Sequence, residues 1–178
     1  TISWLKNNFK IIRNVNQVNQ IFARTKNTEG VVFVPAFVGL SSPYWKPNSK
    51  ALIYGLTPAI TKNQIIRAAL ESIAFQIKDY LDDLEIKNKI KYNEIYVDGG
   101  IVSNTSFMQF LTNILNKKIY VTNYQDMSSY GALMMGLLGM NIKKNFKEIK
   151  NLQQKYFTYT PLKDKEANQS YENWKLAV

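Results

Sequence analysis

The amino-acid sequence predicts an α/β domain. Three observations carry that prediction: a short apolar run, Val31-Val32-Phe33-Val34; a long amphipathic helix opening at Thr61; and a strand–helix–strand unit between Ile95 and Val121. At 178 residues the chain is long enough to bury one real core. Its 46% hydrophobic and 13% aromatic content excludes a disordered polymer.

The elements follow in order. Asn16 to Arg24 is weakly helical, with Val18, Ile21 and Phe22 on one side. Gly30 then opens the apolar run, and Pro35 ends it, which is the pattern of a buried strand. A turn-rich loop from Gly39 to Lys50 contains Pro43, Tyr44, Trp45 and Pro47. Thr61 and Gln64 form a capping box, in which the hydroxyl and the amide each satisfy a free backbone N–H. Behind it Ile66, Leu70, Ile73, Ile77, Tyr80, Leu81 and Leu84 recur at helical spacing, so the helix is expected to end near Leu84 against a large apolar partner.

Ile95-Tyr96-Val97 reads as a strand, Asp98-Gly99-Gly100 as a tight turn, and Asn104 as the cap of a helix through Leu115. A second strand, Lys118 to Val121, completes a βαβ unit. Ser128 or Ser129 is expected to cap a further helix to about Met140, whose Gly131, Ala132, Gly136 and Gly139 admit close packing. Two weaker helices, Phe146 to Lys155 and Lys163 to Lys175, flank Pro161.

Composition narrows the chemistry. With no Cys and no His, the chain has no disulfide framework, no thiolate or imidazole metal site and no histidine-based triad. Reactions left to it use carboxylates, hydroxyls, amides, lysines or backbone groups. The net charge is +10, but all but three of the 23 basic residues are lysines; the exceptions are Arg13, Arg24 and Arg67. Base readout and bidentate phosphate clamps favour arginine, and these lysines are scattered, so a solvated basic surface is expected rather than a nucleic-acid reader. No stretch reaches the ~18 apolar residues of a membrane span. A cytoplasmic protein without a membrane partner is expected. The opening residues, Thr1 to Leu5, read as the middle of an element, and a piece of a longer chain is expected.

The most informative constellation is Val97-Asp98-Gly99-Gly100-Ile101-Val102-Ser103-Asn104. A glycine pair between a strand end and a helix N-terminus lets a ligand touch bare backbone near the positive end of the helix dipole. Crevices beyond strand ends are common ligand sites in α/β sheets. The simpler alternative is a tight turn with an ordinary cap, and the residues alone leave both open. The loop Gly39 to Trp45 is read chiefly as an aromatic anchor to the core. Glu71 is read as an ion-pair partner of Arg67 or Lys78 rather than a base, and Asp98 as a turn-former or a functional carboxylate.

The ordered set Val31 to Phe37, Gly39-Leu40 with Pro43-Tyr44-Trp45, Ala51 to Leu56, Gln64-Ile65 with Ala68-Ala69-Leu70-Glu71, and Val97 to Gly100 resembles the carboxyl-terminal signature of the FGGY carbohydrate kinases. Within that family it is most similar to the glycerol-phosphorylating branch, to which Met108-Gln109-Phe110 and Tyr171 to Trp174 also correspond. The resemblance runs from about Ile2 to Val178. Pentulose-phosphorylating members usually carry Gly-Glu-Arg where this chain has Gly39-Leu40-Ser41.

What the resemblance implies is a ribonuclease-H-like domain of the actin/hexokinase ATPase type, partial and lacking its first strands. Residues 1–178 would be the carboxyl-terminal, nucleotide-binding half, with the amino-terminal domain absent. The family pattern places Gly100 and Asn104 against the nucleotide, with Gly99 shaping the same turn. Ser3 stands where the family often has Gln near the adenine, and its shorter arm weakens that contact. The implied cofactors are ATP and Mg2+, the latter held by the nucleotide and residues outside this chain. The implied partners are adenine nucleotide and, through the missing domain, glycerol; homo-oligomerisation is a further expectation. No catalytic or metal-binding residue is assigned here, because the family's catalytic aspartate and acceptor site lie upstream. The alternatives are another FGGY polyol kinase, such as one acting on a pentulose, or a non-catalytic binding module.

Overall fold

The computed structural model describes residues 1–122, 126–150 and 156–178, and one long helix organises them. That helix, α3 (Lys62–Asn88), starts as the sequence predicts: Thr61 Oγ1 accepts from Asn63 N at 3.3 Å, and Gln64 Oε1 accepts from Thr61 N at 3.2 Å. It runs one turn past Leu84. The apolar stripe ends there, but ion pairs continue it: Lys87 meets Asp83 at 2.7 Å and Glu85 meets Lys117 at 2.6 Å. Lys89 then closes the helix in the left-handed region with φ of 54°.

Before α3 come α1 (Ile2–Asn7), α2 (Val15–Arg24), β1 (Val32–Val34) and β2 (Leu52–Tyr54). Strands β1 and β2 pair antiparallel, Phe33 opposite Ile53, and β1 is buried throughout against α3. After α3 come β3 (Glu94–Val97), a 3-10 turn (Gly100–Ser103), α4 (Thr105–Leu115), β4 (Lys118–Thr122), α5 (Met127–Gly139), α6 (Phe146–Lys150), β5 (Tyr156–Tyr159) and α7 (Lys165–Ala177). Strands β3 and β4 pair in parallel across α4, as the βαβ pattern requires, with Tyr96 opposite Tyr120.

The structure adds to the sequence reading and corrects it in places. β5, a short aromatic run read as lying between two helices, pairs antiparallel with β4. The cap of α5 is Asp126, whose carboxylate accepts from Ser129 N at 3.0 Å, rather than Ser128 or Ser129. The carboxylate outcompetes the hydroxyls because it also receives the Ser129 hydroxyl at 2.6 Å. Of the helix expected over Phe146 to Lys155, α6 supplies the first part, and 151–155 lie outside the described residues. Close packing of α5 through its glycines is not seen: a Cβ on Gly131, Gly136 or Gly139 would meet no atom within 4 Å. Met134 is the buried residue of that helix, and Leu133 and Met135 face outward. No helix among the described residues is long and apolar enough to cross a membrane.

One hydrophobic cluster joins α1, α2, β1, α3, α4, β4 and α7. At its centre Phe22 packs edge-on against Phe107 and Phe110, and the Arg67 guanidinium lies 4.6 Å from the Phe22 ring centre. Helix α7 is fixed by polar contacts as well as burial. Trp174 Nε1 donates to Phe33 O at 3.1 Å, and the Tyr171 hydroxyl donates to Asp79 on α3. The Tyr44 hydroxyl donates to the other oxygen of Asp79 at 2.7 Å. This buried carboxylate therefore holds both α7 and the loop that carries Tyr44, and burial beside it pushes both phenols above their usual pKa.

Removing one donor leaves part of a buried carboxylate unsatisfied. Tyr171→Phe is expected to cost about 1–3 kcal/mol in urea unfolding, and Tyr44→Phe less, because Tyr44 is only partly buried. Unchanged unfolding midpoints for both variants would show that Asp79 does not need its tyrosines.

Candidate functional site

The chain leaves β3 at Val97 and turns before α4. Gly99 has φ of +97°, a conformation that favours glycine, so the turn itself accounts for this residue. The next four residues form a 3-10 turn rather than leading straight into the helix, closed by Val102 N to Gly99 O at 3.2 Å and Asn104 N to Ile101 O at 3.0 Å. Asn104 caps α4: its Oδ1 accepts from Phe107 N at 3.0 Å, as the sequence predicts.

Gly100 is different from Gly99. It does not have positive φ, and a Cβ added to it would meet no atom of the described residues within 4 Å. Neither conformation nor packing demands a glycine at position 100, so the fold leaves its bare backbone unexplained. A second polar feature lies four residues on. Asn104 is only 3% exposed, yet its Nδ2 has no hydrogen-bond partner among the described residues. A buried donor without an acceptor is costly, and a ligand acceptor would relieve it.

The structure thus places Gly99, Gly100 and Asn104 in one turn at the N-terminus of α4. Asp98 precedes them, exposed. Ser3 is exposed on a separate element, α1, where the neighbouring Trp4 packs at a tilt against Phe9 and Phe37, ring centres 4.5 and 4.8 Å apart. Among the described residues no group of three or more Asp or Glu side chains is placed to hold a metal ion.

The other sequence candidates fall into structural roles. Tyr44 anchors its loop through Asp79, whereas Trp45 points outward at 69% exposed. Glu71 pairs with Arg67, Nε to Oε1 at 2.7 Å, and Lys78 pairs with Asp82 instead. Burial raises the Glu71 carboxyl to about 7, even though the Arg67 charge and hydrogen bond pull it down; Asp164 adds a smaller upward push. Asp79 is the buried acid that sequence reading missed. Its signal was an acid on the same face as the buried Ala68 and Phe75, where a helix should be apolar.

Because the folded protein keeps a proton on Glu71 that the unfolded chain releases above about 4.5, the stability it confers is present at low pH and lost as pH rises from about 4.5 to about 7. The expected decline is on the order of 3 kcal/mol. Urea titrations across that window, compared between the native chain and Glu71→Gln, check it. An equal slope in both would remove Glu71 as the source.

Residues 1–140 match the model of the FGGY family of carbohydrate kinases, C-terminal domain. The chain is 35% identical, over its whole length, to glycerol kinase of Klebsiella pneumoniae and 34% identical to that of Escherichia coli K12; it spans 36% of each. Among solved structures, Plasmodium falciparum glycerol kinase with ADP superposes with a TM-score of 0.88 at 34% identity, covering 99% of this chain and 35% of that one. Xylulose kinase of Lactobacillus acidophilus shares the fold, with a TM-score of 0.80 at 23% identity over 98% of this chain and 35% of its own.

Proposed function

Because the chain belongs to the FGGY family of carbohydrate kinases, we propose that it is the carboxyl-terminal, nucleotide-binding part of an ATP-dependent glycerol kinase. The parent reaction is transfer of the γ-phosphoryl group of ATP to glycerol, giving glycerol 3-phosphate and ADP in the cytoplasm. The observation that carries this reading is Gly100, a glycine that neither the backbone conformation nor the packing requires. The identity of 34–35% to glycerol kinases along the whole chain supports the choice of glycerol over other acceptors.

Phosphoryl transfer is mostly positioning and charge neutralisation, and this chain's share is to bind and orient. Bound ATP supplies the phosphoryl group. Gly99 sets the turn, Gly100 leaves the backbone open to close approach, and Asn104 offers its unpaired Nδ2 as a donor. The N-terminus of α4 adds partial positive charge. Ser3 is assigned the short-armed contact on the adenine side. The catalytic base, the glycerol pocket and the protein ligands of Mg2+ are assigned to residues outside this chain.

Two substitutions separate binding from folding. Gly100→Val should fold normally, because its Cβ enters open space, but should weaken ADP binding by about tenfold or more in calorimetry. Asn104→Asp keeps the cap oxygen, and the favourable helix dipole partly offsets the burial of its charge, so the domain should still fold with a loss of about 1–2 kcal/mol in urea unfolding. It removes the donor and places a carboxylate beside a phosphate ligand, so affinity should fall. Unchanged affinity in both variants would refute the site.

The substrate needs the longer protein. Offered glycerol, xylulose and ribulose in a coupled assay, it should phosphorylate glycerol, whereas the 178 residues alone should turn over none of them. Preference for a pentulose would overturn the assignment to glycerol, and turnover by the isolated chain would overturn the division of labour.

A further inference from the structure

A cleft of about 300 Å³ opens between the loop before β1, helix α3 and helix α7, on a different part of the molecule from the Gly99–Asn104 turn. Glu71 lines it from α3 and is only 2% exposed. One of its oxygens is committed to Arg67; the other, Oε2, is buried and has no hydrogen-bond partner among the described residues. Arg67 does not line the cleft, and its Nη1 is spent on the carbonyls of Phe22 and Thr25. Glu71 is therefore the member of the pair on the cleft side.

The rest of the lining fits a positively charged occupant. Glu29 and Glu166 stand at the exposed margin, acids in a chain of net charge +10. Gln169, Ser170 and Asn173 of α7 present amides and a hydroxyl along one wall. Lys26 meets Glu166 at 3.7 Å with its own side chain 83% exposed, and it leaves Oε2 unanswered. A primary ammonium group supplies what is missing: several donors, a compact charge and a small volume.

We infer that this cleft binds a small organic amine, its ammonium group donating to Glu71 Oε2 and its remaining polar atoms meeting the α7 wall. The inference is independent of the kinase reading and of any nucleotide. Acidity at the margin steers cations inward, and burial at the base strengthens the charge-assisted bond. Binding should also depend on pH, because Glu71 sits near about 7 and loses its charge on protonation. The charged groups around it are Arg67 on α3, Asp164 at the start of α7, Glu166 on α7, and Lys26 and Glu29 in the preceding loop.

The probe is 1,3-diaminopropane, titrated into the isotopically labelled chain at about pH 8 and followed by amide chemical shifts, with 1,3-propanediol as the uncharged control. Saturable shifts confined to the loop before β1, α3 and α7 are expected with the diamine and not with the diol. Glu71→Gln should weaken binding by about tenfold or more, the loss of one charge-assisted hydrogen bond. Ser170→Leu, which fills the wall without touching the Arg67 pair, should do the same while leaving the thermal melt in place, so a misfolded Glu71 variant does not decide the matter. Affinity should fall between about pH 8 and about pH 6. Equal binding of the diol, full affinity in Ser170→Leu, or no saturable shift at tens of millimolar diamine would each overturn the inference and leave the cleft to solvent.

Discussion

A carboxylate buried in the middle of α3 fixes where the rest of the molecule can sit. Asp79 is 6% exposed and is satisfied by two tyrosine hydroxyls, one from the loop after β1 and one from α7. An unpaired buried charge is far more expensive than an unfilled apolar contact, so both tyrosines must arrive together for the helix to be buried at all. Arg67 does the same work about three turns earlier. It reaches Glu71 on its own helix, the carbonyls at the end of α2, and the face of Phe22. The long helix is thus an apolar spine with two polar rivets, and each rivet ties it to an element remote in sequence.

The candidate nucleotide turn draws its rigidity from that arrangement without sharing its chemistry. Helix α4 buries Phe107, Met108, Phe110 and Leu111 against α2, α3 and α7, so its N-terminus is held from behind. Asn104 then spends one side-chain atom on the helix and keeps the other in reserve. Together they set a bare glycine backbone beside a fixed donor, which is preorganisation in a literal sense: the positioning cost is met when the domain folds.

How much of this was legible in the sequence depends on which signals were local. The Thr61 capping box, the Asn104 cap and the glycine pair are short-range devices, and the structure has each of them where the residues predict. The βαβ unit was legible because its strand and helix periods change abruptly at Asp98 and Asn116. The role of Asp79 was not, because its partners are 35 and 92 residues away and no local pattern brings them together. The same holds for β5, whose four residues become a strand only when β4 offers an edge. For α5 the small residues predicted intimacy, and the helix instead lies at the margin with its glycines open. The unexplained glycine at 100 is the converse case: its identity was plain in the sequence, but only the structure could show that the fold does not need it.

The bond from Trp174 to the carbonyl of Phe33 spans 141 residues of chain. During synthesis β1 and α3 emerge long before α7, so the groove that will take Trp174, and the Asp79 carboxylate beside it, stay uncovered while the intervening elements are made. Chains whose core closes through such distant contacts fold slowly and expose apolar surface meanwhile. Helix α7 therefore acts as the seal of this core: a ribosome-bound chain that stops before residue 165 lacks the element that closes it, whatever local structure it has already gained.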